Sequence, residues 1–349
     1  MTEVAAQPAP VHFLDQTERW LERSVRPLAS VGVFGMLIAA GVTVADVLMR
    51  WLAGTGVLGL NEIISMVFGV AIAACLPAGT AGGVHLKIDI FARWITGRLA
   101  AWLDVFGSLL LLTFFAILTQ RLFIFAQTLQ LQARTTVLLG WPMAPFMFVV
   151  VALLAITTLV QAIIAINKIR QAVAYVEPLG AKSYPVATAI AVMLAVVIVC
   201  LCAYALFDFA GMADWAQDNP GKAVGIAFAC MWILMLSQVP LAAVTGLIGI
   251  VGGALFIGFS PFFSAFATES AGLLTNSQIA TLPLFLMMGS FAAVSGLSED
   301  LYELAHVLFG RFRGGLALAT IGSCAGFGAL TGSSLATAAT IGRVAIPEM

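Results

Sequence analysis

The chain has 349 residues, of which 61% are hydrophobic and 9% charged, with a formal net charge of −1. Soluble domains carry about 25% charged residues, and no single water-soluble core of this length hides so much apolar surface, so soluble-enzyme classes are excluded. The mean hydropathy of +1.05 points to an integral membrane protein, and the balanced charge excludes a basic field for nucleic acid.

The first residues, 1–27, form an N-terminal segment whose Phe13, Leu14, Trp20 and Leu21 alternate with Asp15, Glu18, Arg19, Glu22 and Arg23. This pattern suits an amphipathic helix in the membrane interface or a short solvated helix, with Pro27 expected to break it from the first spanning helix. The next apolar run is too long for a cleaved signal and reads as a retained helix. Five stretches meet the requirement of about 20 mostly apolar residues: 28–52, 62–80, 100–118, 142–166 and 186–207. Lysine and arginine favour one set of loops (Arg19, Arg23, Arg26, Lys87, Arg93, Arg98, Lys168, Arg170, Lys182) over the other (Arg50, Arg121, Arg134, Lys222), which places the N-terminus in the cytoplasm.

Pro178, Gly180 and Pro185 mark a linker, dividing the chain into a four-span unit (28–170), a linker with connector helix (171–210) and a C-terminal unit (221–349). Residues 208–222 read as an external turn. The apolar stretch 221–258 is interrupted at Gln238-Val239-Pro240, giving two short helices or one kinked helix. Residues 261–276 read as a mixed helix containing Glu269. The segment about 278–296 is too broken for a regular span and too apolar for a water loop. Residues 298–311 read as an amphipathic helix with Ser298 as N-cap. From 314 to 349 an apolar helix runs into Thr331-Gly332-Ser333-Ser334 and then resumes.

That last break is the most informative feature. Hydroxyls and glycines replace large hydrophobes there, and irregular backbone inside a bilayer is tolerated only where it is buried or lines a cavity. Freed carbonyls with Ser and Thr hydroxyls suit a hard cation such as Na+, and the second half-helix presents its N-terminus to an anion. Ser333 and Thr337 share a face if that half-helix has begun. Small-residue helix packing is the competing explanation, against which the second interrupted segment at 282–296 weighs.

Charge within the spans is sparse. Asp46 and Arg50 form an i,i+4 pair, and Glu62 opens the second span at its positive end; both read as structural anchors. His85 and Asp89 suit either metal binding and proton relay or, more plainly, helix contacts in a loop. Tryptophans 20, 51, 94, 102, 141 and 215 fit an interfacial belt, and Trp232 reads as packing. The five cysteines form no CxxC pair and read as small hydrophobes, and three histidines argue against haem, di-iron or zinc chemistry. No catalytic cluster is found and no cofactor is called for.

Two stretches resemble a known family. ADVLMRWL and LNEIISMVFGVAIAACLPAGTAGGVHLKIDIF, within 45–95, are similar to the small membrane subunit of tripartite ATP-independent periplasmic (TRAP) transporters: Arg50, Glu62, His85 and Asp89 fit, while Leu60-Asn61 replaces the usual Trp and first acid. LPLFLMMG, SGLSEDLYELAHVLFGRFRGGLA and TGSSLATAATIGRVAIPEM, within 278–349, resemble the large permease subunit. Thr331 stands where serine is common and Thr337 where an acid is frequent. The resemblance implies an all-α fold in which a four-helix small-subunit unit and connector helix precede the first inverted repeat of an elevator-type permease, with a re-entrant hairpin and a broken helix.

It also implies Na+-coupled import of an organic anion, a carboxylate or sialic-acid-like molecule, delivered by a periplasmic binding protein across the bacterial inner membrane. Carried over by motif, Thr331, Gly332, Ser333, Ser334 and Thr337 are ion- or substrate-binding candidates, with Na+ at Thr331 and Ser333; Pro283, Met288, Gly289 and Ser290 of the hairpin come second. A second repeat is expected in cis or in trans, the chain being either a fragment or a half-permease. The competing classes are a non-translocating membrane scaffold and a membrane-embedded enzyme.

Overall fold

A computed structural model describes residues 12–88, 98–174, 209–276, 288–289, 291–292, 294–332 and 334–348. Among them the fold is all-helical, in chain order α1 (His12–Ala53), α2 (Leu60–Ala81), α3 (Arg98–Leu131), α4 (Met143–Ala174), α5 (Phe209–Asp218), α6 (Pro220–Leu236), α7 (Leu241–Ile257), α8 (Phe259–Leu274), α9 (Leu297–Phe309), α10 (Gly315–Thr331) and α11 (Ser334–Glu348). Four stretches, Arg23–Ala53, Leu60–Ala81, Ala100–Leu131 and Met143–Ala174, are long and apolar enough to cross a membrane. They match the first four predicted spans. The fifth, 186–207, lies outside the described residues.

Three sequence expectations are corrected. Helix α1 runs unbroken through Pro27: a single proline removes one hydrogen bond, and helices in membranes tolerate that loss. The stretch 208–222, read as an external turn, is largely helical over its described residues 209–222, with α5 and α6 meeting at a 114° bend where Pro220 occupies the first turn of α6 and cannot extend α5. The short polar segment FAGMADWAQD has no Pro and only one Gly, near its start, so little in it stops a helix. Trp232 of α6 is 53% exposed, so it faces outward instead of packing.

The 221–258 stretch resolves into two helices. The break runs over Ser237–Pro240, with Gln238 in the left-handed region (φ 65°). Pro240 fixes the entry to α7, and Val239 is buried. A side chain at Gly107 of α3 would meet Pro240 Cδ at 3.0 Å, so glycine is what lets the break seat against α3.

The chain divides into two compact units. One comprises the described residues up to Gly35 together with Gly69–Leu274; the other comprises Met36–Phe68 and the described residues from Thr275. In the first unit, Leu122, Ala126 and Leu129 of α3 pack with Met147, Val150, Val151 and Leu154 of α4, with Ala73 and Ala74 of α2 and with Ala271 of α8. Lipid is as apolar as leucine, so close packing and interhelical hydrogen bonds hold such helices together. Gln161 Nε2 donates to Ser108 O (3.0 Å) and Ser108 Oγ (2.9 Å), and Thr119 pairs with Thr158 at 3.0 Å. The α3–α4 turn closes by Thr136 N–H donating to Trp141 O (2.9 Å) and Met143 N–H to Arg134 O (3.1 Å).

Candidate functional site

The broken helix of the second unit is present in the structure. Helix α10 ends at Thr331, and Gly332 adopts φ 61°, a left-handed cap whose N–H donates to Gly328 O at 2.9 Å. Helix α11 begins two residues later. Only glycine adopts this conformation without steric cost, so the break is written into the sequence at Gly332. The last carbonyls of α10 carry partial negative charge, and the first amides of α11 carry partial positive charge.

The trio α9, α10 and α11 is held by Tyr302, Phe327, Ile341 and Ala345. Phe327 and Ile341 are fully buried on opposite sides of the break, which locks the two half-helices to one another. Thr337 is buried, and a Cβ at Gly328 would lie 3.5 Å from its Oγ1. A methyl group at Gly328 would thus make ordinary contact with Thr337. Gly332 and Ser334 are exposed. Thr331 has its backbone in the break, while Ser333 lies outside the described residues. Met288 is exposed and Gly289 buried, both helical; Pro283 and Ser290 lie outside the described residues, as does Asp89.

Sequence reasoning missed two polar groups in this trio. The hydroxyls of Ser298 and Tyr302 are buried with no hydrogen-bond partner among the described residues. Ser298 is therefore not the N-cap. That place belongs to Gly296, in the left-handed region at φ 85°, whose carbonyl accepts from Glu299 and Asp300 N–H. A glycine cap leaves no side-chain signature, and the serine nearby is the natural misreading. Ser323 Oγ bridges α9 and α10, contacting Ala319 O (2.7 Å) and Leu301 O (3.3 Å).

Asp46, Arg50, Glu62 and His85 stand at helix ends or in loops. Asp46 Oδ2 pairs with Arg50 Nε at 2.8 Å, and Asp46 Oδ1 accepts Val57 N–H at 2.6 Å. The buried carboxylate thus ties the end of α1 to the loop that leads to α2. Glu62 sits in the first turn of α2. His85 lies in the loop after α2, its ring tilted on Phe115 at 6.5 Å. Burial, then the Lys168 and Lys87 charges, hold its pKa below the usual 6.5, so the imidazole is neutral at pH 7. Among the described residues, no group of three or more His, Cys, Asp or Glu side chains is placed to hold a metal.

Two family descriptions match the chain. Residues 39–171 match the tripartite ATP-independent periplasmic transporters, DctQ component, and residues 225–349 the DctM component. The chain is 32% identical over 142 residues to the isethionate TRAP transporter permease protein DctMQ of Oleidesulfovibrio alaskensis, covering 40% of this chain and 21% of that protein. It is 37% identical over 105 residues to the C4-dicarboxylate TRAP transporter large permease protein DctM of Pseudomonas aeruginosa (29% and 24%). It is 26% identical over 136 residues to the sialic acid TRAP transporter permease protein SiaT of Haemophilus influenzae (37% and 20%). The matches thus span about a fifth to a quarter of those relatives. With both components matched in order on one polypeptide and several apolar helices to carry them, the chain belongs to the TRAP transporter permease family, as a fusion of small and large membrane components.

Proposed function

We propose that this chain forms part of the permease of a Na+-coupled secondary transporter, which imports an organic anion delivered by a periplasmic binding protein across the bacterial inner membrane with its N-terminus inside. The observation that carries the reading is the α10–α11 break: a left-handed Gly332, helix-end carbonyls and a buried Thr337 hydroxyl in one small-residue segment. Carbonyl and hydroxyl oxygens are the ligands that replace the hydration shell of a hard monovalent cation, and the α11 N-terminus favours a carboxylate. In this reading Thr331 and Ser333 contribute to the cation site, with Thr337 behind them. The hairpin about 278–296, with Pro283, Met288, Gly289 and Ser290, closes the site as the elevator unit moves. The names of the relatives support a small organic acid as substrate, C4-dicarboxylate and sialic acid among them.

The test is uptake of labelled C4-dicarboxylate, isethionate and sialic acid into liposomes holding the complete transporter with its binding protein. Uptake of one of these driven by an inward Na+ gradient, and abolished by Ser333→Ala in a protein that still assembles, is the expected result. Equal uptake with choline in place of Na+ would sink the coupling. Full activity of Ser333→Ala and Thr331→Ala together would remove the assigned site.

A further inference from the structure

The hydroxyl of Ser298 is buried without a hydrogen-bond partner among the described residues. A serine inside an apolar helix ordinarily donates to a carbonyl of the preceding turn. Ser323 does so to Ala319 O at 2.7 Å, and Thr320 to Leu316 O at 2.8 Å. Ser298 is the second residue of α9, so no carbonyl of its own helix stands behind it.

Side-chain contacts place the neighbouring helix. A Cβ at Gly322 of α10 would lie 3.6 Å from Ala305 Cβ, and one at Gly326 would lie 3.5 Å from Leu301 Cδ2. Ser323 Oγ, between them in sequence, lies 3.3 Å from Leu301 O. One turn back along α9, from Ala305 to Leu301, is thus one turn forward along α10, from Gly322 to Gly326. The two helices run antiparallel, and the same step carried on from Leu301 to Ser298 arrives at about Ala329, in the last turn of α10. Ser298, Tyr302 and Ala305 form the buried face of α9, and Tyr302 packs there with Phe327, Ile341 and Ala345. Of the two unpaired hydroxyls on α9, Ser298 belongs to the residue level with the break; Tyr302 is a turn further along.

The last carbonyls of α10 lack donors within their own helix and carry the negative end of its dipole. The positive end of α9 is offset by Glu299 and Asp300 in its first turn. Ser298 is 3% exposed, too enclosed to meet a multi-atom organic anion, whereas a dehydrated cation needs only oxygen atoms around it. We propose, resting on the functional reading above, that Ser298 Oγ is a further ligand of the monovalent cation at the α10–α11 break. The hydroxyl supplies its lone pair from α9, facing the α10 carbonyls across the ion, and so ties a third helix to the site.

The complete transporter in detergent, without substrate, is titrated with NaCl against choline chloride at constant ionic strength. Binding of radiolabelled Na+ and thermal unfolding are both read. The parent is expected to bind Na+ and to unfold later as Na+ rises. Ser298→Ala is expected to weaken Na+ binding about 10-fold and to shrink the thermal shift. In choline it should unfold no earlier than the parent, because an unpaired buried hydroxyl contributes no stability there. Ser298→Thr keeps the oxygen and recovers most of the affinity. Ser295→Ala, which removes an exposed hydroxyl that donates to Ala292 O, leaves Na+ affinity unchanged. A serine that only packs or bonds a neighbour predicts earlier unfolding of Ser298→Ala in choline with Na+ affinity intact, and that result overturns the proposal. Unchanged Na+ affinity in Ser298→Ala, beside a parent that responds to Na+, removes Ser298 from the site and leaves the functional reading standing. A parent that binds no Na+ overturns both.

Discussion

The α3–α4 pair and the α9–α11 trio solve the same problem in opposite ways. In the pair, interior hydroxyls and amides find one another: Gln161 with Ser108, Thr119 with Thr158. In the trio, the Ser298 and Tyr302 hydroxyls are buried unpaired among the described residues, and the helix is interrupted at Gly332. In the pair, the one such atom among the described residues, Arg121 Nε of α3, belongs to a guanidinium laid over the Phe263 ring, whereas the two hydroxyls of the trio stand in the interior of a helix cluster built around a break. A membrane protein places such hydroxyls where something polar must come and go.

The contrast can be broken most directly at Gly332. Replacement by valine forces a β-branched residue into the left-handed region at φ 61°, a cost of at least about 1–2 kcal/mol. It should abolish uptake by the complete transporter while its membrane level stays near normal; normal uptake would mean that the break is only packing. Next in size, Gly107→Val overfills the contact with Pro240 and should destabilise by about 1–3 kcal/mol, seen as earlier thermal unfolding in detergent. Gln161→Leu removes one side of a buried pair and should cost about 0.6–1.7 kcal/mol without changing substrate affinity, since Gln161 serves the α3–α4 contact.

Acid sharpens the comparison further. Because the folded-state pKa of His85 is depressed, the folded protein binds fewer protons than the unfolded chain. Its contribution is therefore complete above about 6.5 and is lost as pH falls below that value towards the folded pKa. Thermal stability should decline on acidification through this window, and His85→Asn should flatten the decline. The smallest effect is expected for Tyr302→Phe. Removing an unpaired buried hydroxyl should leave stability unchanged or slightly higher, and a tenfold loss of uptake would instead show that a ligand or water meets that oxygen during transport.

Much of this architecture is legible in the residues, because hydropathy reports the stretches that lipid must surround. Helix ends are less legible. Hydropathy bounds the third span at 118, yet α3 continues to Leu131, since Gln120, Arg121, Gln127 and Gln130 lower the hydropathy but are good helix formers. Arg121 lies beyond the apolar stretch with its guanidinium over the Phe263 ring, 3.8 Å from the centroid, a contact no local pattern announces. At the candidate site, Gly332 and Thr337 are readable from small-residue composition. The Tyr302 and Ser298 orphans are not, because they depend on which faces of three helices meet.

The amide of Leu241 donates to the carbonyl of Leu86 at 3.0 Å. Leu86 falls in the small-component match and Leu241 in the large-component match. During synthesis the small-component loop therefore emerges long before its partner exists. Until α7 arrives, that loop must hold its shape with water or lipid as a substitute. The fusion then does more than keep two proteins at equal numbers: the stretch of chain that bonds to this loop comes off the same ribosome, in a fixed order.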